Sequence, residues 1–274
     1  MPSLPTIEKD VENRAKSAPD HGAFDARAER AHDLALIDYY CRLGDDALIL
    51  GQRLGEWCGH APALEVDLSL ANFALDLIGQ ATHLLGLAGD ADQLAFHRDV
   101  LDYKNCWLVE QPNGDFAQTI ARQFLYSTWQ HMLLERLTSS SDEALAGIAA
   151  KAVKEVAYHR ALSADWVIRL GDGTAESARR MADGLDWCWR FVPELFEVDE
   201  TLAGLIERDI AVNPQGFEAE YRAEIGRVLA EAKLDVPAEQ RPILGGRRGH
   251  HSEHLGHLLA VMQHLPRTYP DATW

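Results

Sequence analysis

Residues 64–89, LEVDLSLANFALDLIGQATHLLGLAG, read as one helix that is apolar nearly all round beyond its first two turns. Asn72, Asp76, Gln80 and His83 interrupt it at i, i+4, i+8 and i+11. At 3.6 residues per turn these four side chains fall within about 80° of one another, a single polar stripe. Burying such a stripe is costly unless its groups find partners. The segment therefore predicts a central helix whose polar groups form a metal site, the remnant of one, or a hydrogen-bonded seam. Helical periodicity continues on both sides.

A first segment is expected from about His32 to Trp57, with a break at Leu43-Gly44-Asp45. A turn at Pro112-Asn113-Gly114 precedes a helix capped by Asp115 and running to about Leu137. Asp142 opens another that ends at Gly171. Further helices are expected from Thr174 to about Glu197, from Pro214 to Lys233 and from His250 to His264. No alternating β-branched run, repeat or low-complexity tract is found. The expected fold class is all-α, a four-helix bundle with additional helices.

A chain of 274 residues is long enough for a sizeable core. A net charge of −17 and a pI near 5.0 argue against nucleic acid as a partner. No apolar run reaches membrane-spanning length. Residues 1–31 are rich in acids and lack an apolar run, which predicts a disordered extension rather than a secretory signal; residues 32–274 are expected to form one domain. The four cysteines, Cys41, Cys58, Cys106 and Cys188, form no C-x-x-C pair and read as free thiols of a cytoplasmic protein.

Carboxylate-bridged di-iron bundles use a Glu from each of two helices and a Glu-x-x-His pair from each of the other two. Of the twelve histidines, only His32 has an acidic residue three positions earlier, Glu29, and that pair sits in the charged N-terminal stretch. Within the bundle the nearest approaches are degenerate. Asp76 is followed at i+3 by Gly79, and Glu155 by Tyr158, with His159 one residue later. The direct reading is a polar seam in which Asp76, Glu155 and His159 pair with neighbours. An irregular di-metal oxidase using Asp76, His83, Glu135, Glu155 and His159 stays open. So does a metal-binding module built on His251, His254 and His257.

The Gly245-Gly246-Arg247-Arg248-Gly249 run offers backbone N–H groups and guanidiniums to an anion. The Trp-rich stretch LDWCWRFVPELF, residues 185–196, is apolar on more than one side and hints at a partner surface.

The stretches RLGDDALILGQRLGEWCGHAPALEVDLSLANFALDLIGQA, LVEQPNGDFAQTIARQF, KEVAYH and GGRRGHHSEHLG together resemble the C subunits of the ring 1,2-phenylacetyl-CoA epoxidases. These belong to bacterial multicomponent oxygenases of aerobic phenylacetate breakdown, and the resemblance spans about residues 33–274. It implies a ferritin-like fold and a structural subunit without metal ligands, not catalytic on its own. Its implied partner is a di-iron A subunit that activates dioxygen and epoxidises the ring of phenylacetyl-CoA. A reductase subunit with flavin and an iron–sulfur centre, fed by NADPH, and small accessory subunits make up the rest of the implied complex. The resemblance further implies acyl-CoA contacts at Asp102, Tyr103, Lys104 and Asn105, and at Ala203, Gly204 and Leu205. Lys104 would face a CoA phosphate and Tyr103 an apolar part of the ligand.

Overall fold

The computed structural model describes residues 22–272, with side chains from residue 33. Glu29 and His32 thus fall outside the described side chains. Eleven α-helices and no strand occur among the described residues. Four long helices dominate: α1 (Gly22–Gly55), α2 (Leu64–Ala88), α5 (Phe116–Leu137) and α6 (Glu143–Gly171). Between α2 and α5 lie the short α3 (Ala91–Phe96) and α4 (Trp107–Glu110). After α6 come α7 (Ala175–Trp189), α8 (Glu200–Ile206), α9 (Glu218–Glu231), α10 (Glu253–Met262) and α11 (His264–Thr268). Helices α1 and α2 form one antiparallel hairpin and α5 and α6 the other, the ferritin-like arrangement.

The predicted caps are in place. Asp115 accepts the N–H of Gln118 at 2.9 Å, and Asp142 accepts those of Ala144 and Leu145, both at 3.0 Å. Each satisfies donors that the first helical turn leaves orphaned.

Three boundaries differ from the sequence reading. Helix α1 begins at Gly22 rather than near His32, and it runs through Gly44 without a break. Gly44 is a contact point instead: a Cβ there would lie 2.8 Å from the Leu85 side chain, so its absence lets α1 and α2 close on each other. The segment after Thr174 stops being α-helical at Trp189 and resumes as a 3-10 turn over Val192–Phe196, because Pro193 lacks an N–H and its ring clashes with the preceding turn. The last long segment begins at Glu253, so His251 precedes the helix and the three histidines share no helical face.

The most enclosed helix is α5, not α2. Nearly every residue of α5 from Ala117 to Leu134 is buried, polar ones included. Helix α2 buries Val66, Leu70, Phe73, Leu77 and Leu84, but leaves Leu64, Leu68 and Leu75 exposed at 72%, 57% and 67%. The Trp-rich stretch is mostly internal: Leu185, Cys188, Trp189, Phe191, Val192, Leu195 and Phe196 are buried, and Trp187 alone of its aromatic rings is exposed. All four cysteines are free, and Cys58 is the exposed one. No helix among the described residues is long and apolar enough to cross a membrane.

Candidate functional site

The seam anticipated from the α2 stripe exists, but it joins only part of that stripe. Asp76 Oδ2 accepts from His159 Nε2 of α6 at 3.0 Å; a carboxylate only accepts, so the ring proton is on Nε2. One turn along, Gln80 donates to Glu155 at 3.0 Å and accepts from Gln130 of α5 at 3.1 Å. Beyond His159, Ser163 lies 3.3 Å from Ser127 and donates to the His159 carbonyl at 2.8 Å. The His159 ring lies 4.0 Å, centroid to centroid, from Phe73. Lys151 approaches Glu155 at 4.0 Å. Asn72 and His83 of the stripe point to solvent, as does Tyr158, and nothing packs over Gly79.

A di-iron centre does not fit this arrangement. It needs carboxylates from all four helices and two imidazoles converging on the bundle axis. The seam instead supplies one carboxylate from α2, one carboxylate and one imidazole from α6, and from α5 amide and hydroxyl groups. Within the seam Gln80, Glu155, Gln130, Asp76 and His159 bond to one another, while His159 Nδ1 and Gln130 Oε1 have no hydrogen-bond partner. Among the described residues no three His, Cys, Asp or Glu side chains converge in a way that could hold a metal ion. Glu135, needed by the irregular ligand set, is exposed on α5.

A second polar system, deeper and denser, lies where α1 meets the loops around residues 98–111 and 245–252. Four buried carboxylates organise it: Asp45, Asp46, Glu110 and Glu194. Asp45 holds the Arg98 guanidinium in a two-pronged pair and accepts the Lys104 N–H at 2.8 Å. Asp46 holds Arg247 at 2.9 and 2.7 Å and accepts the Cys106 N–H at 2.7 Å. Arg247 also donates to the carbonyls of Arg42 and Lys104, each at 3.1 Å.

Glu194 accepts the N–H groups of Trp107, Gly245 and Gly246 at 2.6, 2.8 and 2.7 Å. The anion received by the Gly-Gly-Arg-Arg-Gly run is therefore a carboxylate of the same chain. Its second arginine, Arg248, pairs with Glu197 at 2.5 Å. Glu110 accepts from Asn105, the Ser252 N–H and His251 Nδ1 at 2.8, 2.7 and 2.7 Å. His251 Nε2 faces the Tyr103 carbonyl at 3.0 Å.

Burial raises the carboxyl pKa of both Asp45 and Glu194. Arg98 opposes the shift at Asp45, and the N–H groups of Trp107, Gly245 and Gly246, together with Arg247, oppose it at Glu194. For His251, burial disfavours the charge, but the hydrogen bond and charge of Glu110 outweigh it and the pKa is raised. With both ring nitrogens on acceptors, His251 is bound as the imidazolium. None of these carboxylates was singled out from the sequence, although the adjacent acids in LGDDALIL, set in an apolar run, are a legible signal that buried partners exist.

The two segments expected at the acyl-CoA, a hundred residues apart, meet on one turn of α1. Lys104 Nζ lies 3.8 Å from Asp38, Asp38 pairs with Arg42 at 2.5 Å, and Arg42 pairs at 2.7 Å with Asp199, the cap of α8. Asp102 and Gly204 are exposed, and Lys104 and Ala203 are half-buried. Tyr103, Asn105 and Leu205 lie inside the protein and offer no surface to a ligand in this chain. The Tyr103 hydroxyl donates to the Ala95 carbonyl and accepts from Gln263, and its ring lies under the Arg98 guanidinium. Asn105 donates to Glu110 and to the Cys106 carbonyl. Both side chains shape the loop from behind.

A family model described as Phenylacetic acid catabolic protein matches residues 23–274. The chain belongs to this family. It is also similar to the C subunit of the 1,2-phenylacetyl-CoA epoxidase of Escherichia coli (strain K12), with 50% identity over 245 residues that cover 87% of this chain and 99% of that protein. Like the family, it has the all-α, ferritin-like architecture described above, with a seam of amides, hydroxyls, Glu155 and one Asp–His pair between α2, α5 and α6.

Proposed function

We propose that this chain is the structural, metal-free subunit of a multicomponent phenylacetyl-CoA epoxidase, pairing with the di-iron catalytic subunit in the cytoplasm. The observation that carries this reading is the 50% identity extending over 99% of a C subunit. The seam supports it: where a catalytic bundle needs converging carboxylates, this one carries Gln80, Gln130, Ser127 and Ser163 bonded to their neighbours. In this reading residues 32–274 act as one ferritin-like domain and residues 1–31 as an extension.

The chain contributes to catalysis by shape rather than chemistry. The rim formed by Asp102, Lys104, Ala203 and Gly204 borders the acyl-CoA, with Lys104 facing a phosphate. Tyr103, Asn105 and Leu205 hold that rim from within. Iron belongs to the partner, and NADPH, flavin and the iron–sulfur centre to the reductase.

The test is reconstitution. The catalytic subunit and reductase are assayed for phenylacetyl-CoA-dependent NADPH and oxygen consumption, with and without this chain. Epoxidation that requires the chain is expected; full activity from catalytic subunit and reductase alone would overturn the reading.

A further inference from the structure

Every residue from Tyr103 to Trp107 is tied to an enclosed charged group. The Tyr103 carbonyl faces His251 Nε2 at 3.0 Å, the Lys104 N–H donates to Asp45 at 2.8 Å, and the Lys104 carbonyl accepts from Arg247 at 3.1 Å. Asn105 donates to Glu110 at 2.8 Å, and the N–H groups of Cys106 and Trp107 donate to Asp46 and Glu194 at 2.7 and 2.6 Å. Gly246 lies so close that a Cβ there would collide with the Asn105 carbonyl. Of residues 103–106, Lys104 alone reaches the surface, its side chain 30% exposed. The hub thus fixes the point from which one ammonium projects.

One of these ties differs from the rest in chemistry. The other anchors are carboxylates and a guanidinium, whereas His251 is an imidazole, the side chain whose ordinary pKa lies nearest neutrality. It is fully enclosed, with Nδ1 on Glu110 at 2.7 Å and Nε2 on the Tyr103 carbonyl. Both partners are acceptors, so both bonds need the imidazolium. A neutral ring keeps one N–H, and the charged carboxylate is the stronger acceptor for it. The bond given up is the one to Tyr103, the neighbour of Lys104. Charged groups face the ring from three other elements: Glu110 of α4, Glu194 of the 3-10 turn, and Arg53 of α1, which donates to the carbonyls of Glu110 and His254. Tyr103 turns its hydroxyl away, to Ala95 and Gln263.

We propose that His251, as the imidazolium, is a positioning residue for the acyl-CoA rim: it pins the Tyr103 carbonyl and thereby the Lys104 ammonium, and couples acyl-CoA binding to one proton. The proposal rests on the reading above that places the acyl-CoA at this rim, and adds a control on its affinity. The sign follows from the elevated folded pKa of His251. The tie is complete below the ordinary value and is lost as pH rises through the elevated one.

The test measures KM and kcat for phenylacetyl-CoA with the reconstituted complex from about pH 6 to about pH 9, the range over which an imidazole titrates. Three variants of this chain are compared with the unaltered one. His251→Gln keeps an amide N–H near the Nε2 position and does not titrate. His251→Asn reaches Glu110 but not the Tyr103 carbonyl. Relative to His251→Gln, the KM of the unaltered complex should rise roughly tenfold on alkaline titration, the worth of one hydrogen bond. His251→Asn should raise KM roughly tenfold at the acid end already. Because the ring touches no substrate, kcat should be unchanged in both. Lys104→Gln, a surface substitution, should raise KM roughly tenfold at every pH.

Parallel KM profiles for the unaltered chain and His251→Gln, with KM still raised by Lys104→Gln, overturn the inference and leave the rim reading intact. So does a His251→Asn variant that loses thermal stability but keeps the KM of the unaltered chain, since that is a merely structural role. An unchanged KM for Lys104→Gln removes the rim reading itself, and the control by His251 with it.

Discussion

The seam between α2, α5 and α6 and the carboxylate hub beside α1 are both polar systems inside a helical bundle, and they solve burial in opposite ways. In the seam most groups are neutral amides and hydroxyls, and its acids sit near the surface: Asp76 is 36% and Glu155 25% exposed at the side chain. In the hub the carboxylates of Asp45, Asp46 and Glu110 are fully enclosed, and Glu194 is 2% exposed. Each hub carboxylate is matched by a guanidinium, an imidazolium or at least two N–H donors. The seam carries only two carboxylates, Asp76 and Glu155, among amides, hydroxyls and one imidazole. Charge is concentrated instead where two loops must be held to α1 and to each other. The buried acids of the hub hold guanidiniums, an imidazole and backbone N–H groups.

The largest expected effect separates the two regions. Asp46→Ala leaves the Arg247 guanidinium buried without its partner, and should cost about 3–5 kcal/mol in urea unfolding. A loss below about 1 kcal/mol would place the hub on the same footing as a surface pair. Glu194→Gln puts an amide donor against some of the N–H groups of Trp107, Gly245 and Gly246, and should cost about 1–3 kcal/mol.

A smaller effect depends on pH. The His251 pKa is higher in the folded chain than its ordinary value of 6.5, so the stabilisation it gives is complete below that value. It is lost as pH rises through the elevated folded value. The unaltered chain should therefore lose stability on alkaline titration relative to His251→Gln; parallel profiles for the two would mean that the ring is not bound as a cation. Smallest of all, Asp76→Asn in the seam should change unfolding free energy by less than about 1 kcal/mol, because its carboxylate is partly solvated. A larger loss would show the seam to be as tightly built as the hub.

The long helices and their caps could be read from the chain because their signals are local: an apolar period of 3.6, Asp115 and Asp142 one step before it, and Pro112-Asn113-Gly114 as a turn. The pairing of Asp76, Gln80, Glu155 and His159 was legible in kind, since polar groups on an apolar helix need partners.

What stayed hidden was non-local. Gly44 reads as a helix breaker until Leu85 is seen against it. Arg247 reads as an anion binder until Asp46, two hundred residues earlier, is seen to fill the role. Tyr103 and Asn105 sit in a polar stretch that looks like a surface loop, and only Glu110, Gln263 and Arg98 explain why their side chains turn inward. Helix α2 looked central because its outer flank is as apolar as its inner one. Its spacing alone could not tell which flank the rest of the chain covers.

The role proposed for this bundle is to lend shape, not iron, to an epoxidase. It is tested most directly by purifying the chain together with the catalytic subunit, separating the two under native conditions, and measuring iron in each by mass spectrometry. The account predicts that the iron stays with the catalytic subunit and that this chain holds far less than one atom per molecule. Two iron atoms per molecule of this chain would contradict it.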